Sequence, residues 1–185
     1  VQFESDSQLR SIEKKAFSNS MLRKIKIPQT VELIEEKAFQ KCEELKSVEF
    51  EENSKLETIG KKSFYWLTLK KFSLPSKVKK IEDEAFSFNV NLKNFYIPEN
   101  CELKSIGETA FGGSCMTSIS LPSDIEFKEG WCDGLEKVKN MTVIQKEKQN
   151  IFFYDNKFLL GKQDLNSDIF DVLTTMKWNS KKRIL

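Results

Sequence analysis

Histidine is missing from all 185 residues of the chain. Without an imidazole there is no Ser-His-Asp or Cys-His catalytic group, no His-ligated metal and no imidazole pH switch. Long apolar runs are missing too. No stretch of about 18 uncharged apolar residues occurs, so these residues supply no transmembrane helix. Neither sign of charge dominates: Lys and Arg number 30, Asp and Glu 28, and the pI is near 8.3. Nucleic-acid-binding domains usually carry a basic stripe and a pI above about 9, so nucleic acid is not an expected partner. The four cysteines, Cys42, Cys101, Cys115 and Cys132, form no CxxC pair and no zinc spacing. They read as reduced, buried small apolar residues, and no disulfide from Cys42 is expected. No Walker-type phosphate loop appears; Gly112-Gly113-Ser114 reads as a turn. No initiator methionine and no charged-then-apolar leader is visible, and Val1 to Ser5 reads as mid-repeat. The chain is therefore expected to be a piece of a longer protein.

What is present is a period. Leu9, Leu56 and Leu103 are 47 residues apart, and Ile12, Ile59 and Ile106 keep the interval. So do Phe17, Phe64 and Phe111, and Pro28, Pro75 and Pro122. Each interval also divides, because Phe17, Phe39, Phe64, Phe86 and Phe111 are spaced 22, 25, 22 and 25. Fixed periods of this length mark repeat architectures, in which each unit buries its apolar face only against its neighbours. Such a solenoid offers a long surface to a partner and encloses no reaction chamber.

Every unit reads as an apolar residue, two variable ones, Ile, and then a small residue and Phe: Leu9-Arg10-Ser11-Ile12 leads to Ala16-Phe17, and Val31-Glu32-Leu33-Ile34 to Ala38-Phe39. The rings are expected to stack as a buried spine, with the small residue letting the coils approach. A second apolar block follows, at Leu22 to Ile27, Leu45 to Phe50, Leu69 to Leu74, Leu92 to Ile97 and Met116 to Leu121. Its period-2 alternation predicts a half-buried strand. Pro28, Pro75, Pro98 and Pro122 are expected to end that strand, having no N–H to donate. The polar stretch between spine and strand predicts a short helical turn. A degraded sixth unit has Ile125, an early Trp131 and a weak strand block at Leu135 to Val138; its Asn140-Met141-Thr142 sequon reads as a chance match. Beyond Gln149 the period is lost, and Ile151–Tyr154 with Phe158–Gly161 predicts a hairpin. The expected division is a repeat solenoid over 1–149, with five clear units and one degenerate, and a non-repeat island or cap over 150–185. Asp168 to Leu173 is left open between helical turn and strand, and Lys181 to Leu185 reads as the start of another strand.

The pattern L-x-x-I-x-x-x-A-F, a cysteine at Cys42, L-x-x-I-x-I-P and V-x-x-I resembles the BspA-like leucine-rich repeats of oral spirochaetes, relatives of Bacteroides and the protist Trichomonas. The resemblance covers roughly Gln8 to Val143. It implies a leucine-rich-repeat solenoid of parallel strands with short helical or turn segments. It also implies a cell-surface or secreted protein that binds host or matrix proteins, as adhesins do. It carries over no site residue, and the family's frequent cysteine after the Ala-Phe pair survives only at Cys42. Asn156 to Lys162 and Ser167 to Leu173 look like the islands between repeat blocks in trichomonad members.

Chemistry has few candidates. Glu35-Glu36, Glu43-Glu44 and Glu51-Glu52 recur at surface phases where solvated charge belongs. Asp164, Asn166 and Asp168 alternate like a calcium loop but lack its Gly and distal Glu. No enzyme activity, metal or cofactor is expected. What remains is the strand face. If the isoleucines point inward, the outward stripe is Lys24 and Lys26, Ser47 and Glu49, Lys71 and Ser73, Asn94 and Tyr96, then Ser118 and Ser120. With about 4.8 Å between strands it runs roughly 20–25 Å, basic at its first unit and neutral at its fifth. Tyr96 is the expected anchor, because exposed aromatics among small polar residues are enriched at binding sites. The partner is expected to be a protein bound on this face and not on the loops beside the phenylalanine spine. An intracellular interaction scaffold is the alternative reading, favoured by the unpaired cysteines.

Overall fold

The computed structural model describes residues 3–4, 6–127, 130–131, 133–135, 137–144, 151–154, 158–161 and 172–174. Each coil contributes a two-residue strand and then a longer one. They are β1 (Ser11–Ile12) and β2 (Lys24–Ile27), β3 (Leu33–Ile34) and β4 (Ser47–Phe50), and β5 (Thr58–Ile59) and β6 (Lys71–Ser73). Next come β7 (Lys80–Ile81) and β8 (Asn94–Tyr96), β9 (Ser105–Ile106) and β10 (Ser118–Pro122), and β11 (Glu126–Phe127) and β12 (Asn140–Ile144). The last three are β13 (Ile151–Tyr154), β14 (Phe158–Gly161) and β15 (Val172–Thr174).

Two parallel faces follow. The two-residue strands form one sheet in the order β1-β3-β5-β7-β9-β11, in which Ile12, Ile34, Ile59, Ile81 and Ile106 are buried in register. The L-x-x-I segment thus ends in a strand of its own, beside the one strand per unit that the alternation predicts. Backbones come so close here that a Cβ on Gly60 would stand 2.6 Å from the Ile34 carbonyl oxygen, and one on Gly107 2.4 Å from the Asp83 nitrogen. The longer strands behave differently. They pair only two by two, as β2-β4, β6-β8 and β10-β12.

The expected helical turns are absent from the described residues, and the reason lies in the backbone. On either side of the Phe, two ladders of residues adopt the left-handed conformation. One is Lys15, Lys37, Lys62, Glu84, Thr109 and Gly130; the other is Asn19, Lys41, Trp66, Phe88, Gly113 and Gly134. A left-handed residue at every fourth position cannot continue an α-helix. Alternate amides instead point along the solenoid. Lys15, Phe17 and Asn19 donate to the carbonyls of Glu36, Ala38 and Gln40, and Lys37, Phe39 and Lys41 donate to those of Lys61, Ser63 and Tyr65. The intervening Ala16, Ser18 and Ser20 close local turns onto residues three back. This turn edge is a third hydrogen-bonded face. Each inter-coil bond offsets part of the cost of a left-handed side-chain-bearing residue, on the order of 1–2 kcal/mol.

The spine lies beneath it. Phe17, Phe39, Phe64, Phe86 and Phe111 stack with centroids 5.2, 5.2, 5.2 and 5.7 Å apart and planes within 13°. All but the half-buried Phe17 are fully buried, each contributing on the order of 1.5–3 kcal/mol. Phe72 and Phe95, from β6 and β8, meet the spine edge-on, Phe72 at 4.7 Å from Phe86 and Phe95 at 4.7 Å from Phe111. Cys42 and Asn89 occupy one phase of the coil. The Cys42 thiol donates to the Phe17 carbonyl and the Asn89 amide to the Phe64 carbonyl, each at 2.8 Å. Asn89 thus takes, 47 residues on, the place and the bond of Cys42.

Several further expectations need correction or comment. The sixth strand is Asn140–Ile144 and not Leu135 to Val138, whose Val138 is instead the buried residue that precedes it. Pro122 lies inside β10 and not after it, paired with Ile144, although the other three prolines do follow their strands. Trp131 is buried at the early aromatic position. The expected hairpin pairs β13 with β14 antiparallel, and β15 adds to it through Leu159↔Thr174, so Val172 and Leu173 belong to a strand. The Asp164–Asp168 alternation and Lys181 to Leu185 lie outside the described residues, as does Cys132. Cys42 and Cys115 are free thiols, and Cys42 is buried, as is Cys101.

Candidate functional site

Period-2 alternation aims the predicted stripe outward. Lys24 and Lys26 are exposed around buried Ile25, Lys71 and Ser73 around Phe72, and Asn94 and Tyr96 around Phe95. Glu49 and Ser118 are exposed, whereas Ser47 and Ser120 are half-buried. The ladders bring Lys26 opposite Glu49, Lys71 opposite Asn94 and Ser73 opposite Tyr96. Tyr96, at 56% exposure, is the most exposed ring on this face. Ser120 is spoken for, its hydroxyl lying 2.6 Å from Thr142 Oγ1.

Charge on the stripe is less simply graded than the sequence implies. Lys24 Nζ lies 3.0 Å from Glu49 Oε1, and Ser47 Oγ donates to the same carboxylate at 3.1 Å. The hydrogen bond from Lys24, then that from Ser47, hold the Glu49 carboxyl below its ordinary range. The first unit is therefore partly neutralised, and the cations of the stripe without an ion pair among the described residues are Lys26 and Lys71.

The ten positions do not form one unbroken sheet. Between β4 and β6 the ladder stops, and a cleft of about 510 Å³ opens there. Ser47 and Glu49 line one lip, Lys71 and Ser73 the other, with Phe50 and Phe72 between them in an edge-to-face pair at 5.8 Å. The even coils explain the break. Phe50 precedes Ile59 by nine residues where Ile27 precedes Ile34 by seven, and the longer exit turn holds Asn53 left-handed. That turn frees β4 from the next coil, so two strand edges face each other unpaired. The alternating 22 and 25 spacing carried this signal, but only as a length.

The turn edge carries an aromatic cluster that the polarity pattern of the sequence does not reveal. Trp66 and Phe88 stack at 5.6 Å with both rings nearly half exposed, and Tyr65 lies 5.4 Å from Phe88. Lys41 Nζ sits over the Trp66 ring at 5.7 Å, and Lys62 Nζ over Tyr65 at 5.5 Å. The available signal was Trp66 and Phe88 sharing one phase, two residues past the spine. Among the described residues, no group of three or more Cys, Asp or Glu could hold a metal ion, and no helix is long and apolar enough to cross a membrane.

Comparison with known proteins agrees with this architecture. The chain is similar in fold to the pneumococcal vaccine antigen PcpA, at a TM-score of 0.71 and 20% identity over 87% of this chain and 44% of that one. It is similar to a leucine-rich cell-surface protein from Faecalibacterium prausnitzii, at 0.60 and 21% over 87% and 50%, and to a leucine-rich-repeat protein from Bacteroides ovatus, at 0.56 and 22% over 84% and 51%. The chain thus spans about half the length of these structures, and at such identities the likeness shows the fold. No curated protein matches by sequence. The profile of the BspA-type leucine-rich-repeat region matches six copies over residues 10–132. The chain belongs to the BspA-type leucine-rich-repeat family, as a repeat module for protein interaction.

Proposed function

We propose that this module is adhesin-like, attaching to a host or matrix protein at a cell surface through its strand face. The observation that carries the reading is the cleft between β4 and β6, flanked by side chains held in register on both sides. Lys26 and Lys71 would speed encounter with an acidic partner and make the rate salt-dependent. Tyr96, next to Ser73 across the ladder, would supply the buried aromatic anchor. The names of the pneumococcal antigen and the Faecalibacterium cell-surface protein lend support to surface display. The test is biosensor binding to a panel of purified extracellular-matrix proteins, comparing the native chain with a Lys71→Glu, Tyr96→Ala double variant. Loss of about tenfold or more in affinity, with a flattened salt dependence, is expected for a true partner. Equal binding by both proteins would remove the strand face from consideration. An intracellular scaffold is the second reading, favoured by the free thiols of Cys42 and Cys115. Secretion assays on the full-length gene product decide between the two.

A further inference from the structure

The second left-handed ladder holds Asn19, Lys41, Trp66, Phe88, Gly113 and Gly134, with φ of 60°, 57°, 58°, 60°, 73° and 88°. Asn and Gly take this conformation readily, whereas a bulky side chain does so only at a cost in strain. Trp66 and Phe88 accept that cost at positions nearly half exposed to solvent, outside the buried core. Strain retained at an exposed site points to a use.

The two faces of the stack differ. The outer face of Trp66 carries Lys41. Beyond Phe88 the next rung is Gly113, where even a Cβ would already lie 3.9 Å from Phe88 Cδ1, in ordinary contact, and no side chain is present. One planar group can therefore add to the column on Phe88. Charge along the edge is uneven as well. Lys14 and Lys37 pair with Glu36 and Lys62 with Glu84, but the ammonium groups of Lys15, Lys41 and Lys61 form no ion pair among the described residues, although the Lys61 backbone amide donates to Glu82. Past Gly113 the sign reverses, since Glu108 and the Asp133 carboxylate flank Gly130.

We infer that this edge is a second docking site, separate from the strand face, for an acidic peptide segment carrying one aromatic residue. The ring stacks on Phe88 above Gly113, and the segment's carboxylates meet Lys41 and its neighbours, away from Asp133. The repeat fixes the spacing. From the Gly113 rung to Lys41 is three steps of about 5.6 Å, roughly 17 Å, or about five residues of extended chain. A tyrosine with a run of Asp or Glu beginning about five residues to one side fits; the same residues in contact do not.

The test uses the 185-residue chain and a fluorescein-labelled synthetic peptide, Glu-Glu-Glu-Gly-Ser-Gly-Ser-Tyr, read by fluorescence anisotropy. Two variants separate binding from folding. Phe88→Asn removes the platform with a residue that Asn19 shows the turn accepts, and Gly113→Asn leaves Phe88 in place but fills its open face. Both are expected to melt within a few degrees of the native chain and to weaken the peptide by about tenfold or more. A peptide with Ala for Tyr, and one with Lys for Glu, are expected to lose binding by a similar factor. Undiminished binding by both variants would overturn the site. So would equal affinity for a heparin oligosaccharide, which would make the edge a glycan surface. Concentration-dependent dimerisation of the native chain, lost in Phe88→Asn, would overturn the peptide in favour of a second copy. Failure here leaves the strand-face reading intact, since Tyr96 and Lys71 are untouched by either variant.

Discussion

The turn edge and the strand face run side by side along the same coils, yet one is continuous and the other is broken. On the turn edge every coil repeats the same inter-coil hydrogen bonds at the same phase, from Phe17 onto Ala38 to Phe86 onto Ala110. On the strand face the ladder exists only within β2-β4, β6-β8 and β10-β12. The extra residues of the longer half-repeats all fall beside the longer strands, before β4 and β8 and after them, and none falls within the turn. Length variation is thus confined to one face. The lesson is a division of labour: the edge that stacks phenylalanines is held to one backbone geometry and varies only in its side chains, whereas the strand face varies in its backbone as well.

The sharpest way to break this comparison is to remove a ring from each side. Phe64→Ala deletes a fully buried ring stacked on two neighbours and is expected to cost about 3–5 kcal/mol in urea unfolding. Phe50→Ala, at the half-buried cleft wall, is expected to cost clearly less. Equal costs would mean that the two faces share the load. A subtler change tests the left-handed ladder itself. Thr109 is β-branched at φ 47°, and Thr109→Gly is expected to raise stability by about 1 kcal/mol in thermal melts; a loss would mean that the strain argument misreads the turn. By contrast, Lys71→Glu with Tyr96→Ala is expected to leave stability within about 0.5 kcal/mol, because both side chains point into solvent.

The smallest effect is in pH. Hydrogen bonds from Lys14 and Lys37 hold the Glu36 carboxyl at about 2, below its ordinary 4.5, and those from Lys24 and Lys77 lower Glu49 and Glu102. A depressed folded-state pKa means that the contribution is complete above about 4.5 and is lost as pH falls towards 2. These pairs are solvent-exposed, so the loss is expected to be shallow and to shrink further in high salt. Unfolding curves at pH 2.5 and pH 6, each at low and high salt, check it; a steep acid transition insensitive to salt would point to a buried group instead.

Much of the solenoid was legible because a repeat states each rule five times. Phe39, Phe64, Phe86 and Phe111 share one phase and are all buried, and the outward stripe from Lys24 to Ser118 follows from alternation around Ile25, Phe72 and Phe95. What escaped was whatever depends on backbone conformation and not on polarity. Lys37, Trp66 and Glu84 are poor residues for a left-handed turn, so neither ladder could be read from composition, and a helical turn was the natural guess. The two-residue strands escaped because Ser11-Ile12 is too short to show alternation. The cleft escaped because two additional residues after Phe50 say that a turn is longer, not that a sheet parts. Leu135 misled because an early Trp131 shifts the sixth unit's apparent phase, while Val138 keeps the true one.

Native-state amide hydrogen exchange tests the central claim most directly, since it reads each face residue by residue. The amides of Phe39, Phe64 and Phe86, which donate from coil to coil along the turn edge, are expected to exchange only through global unfolding. Faster exchange, through local opening, is expected in Ser47–Phe50 and Lys71–Ser73, whose facing edges are unpaired across the cleft. Protection of both strand segments equal to that of the spine amides would contradict it, for the strand face would then be one closed sheet with no site between its pairs.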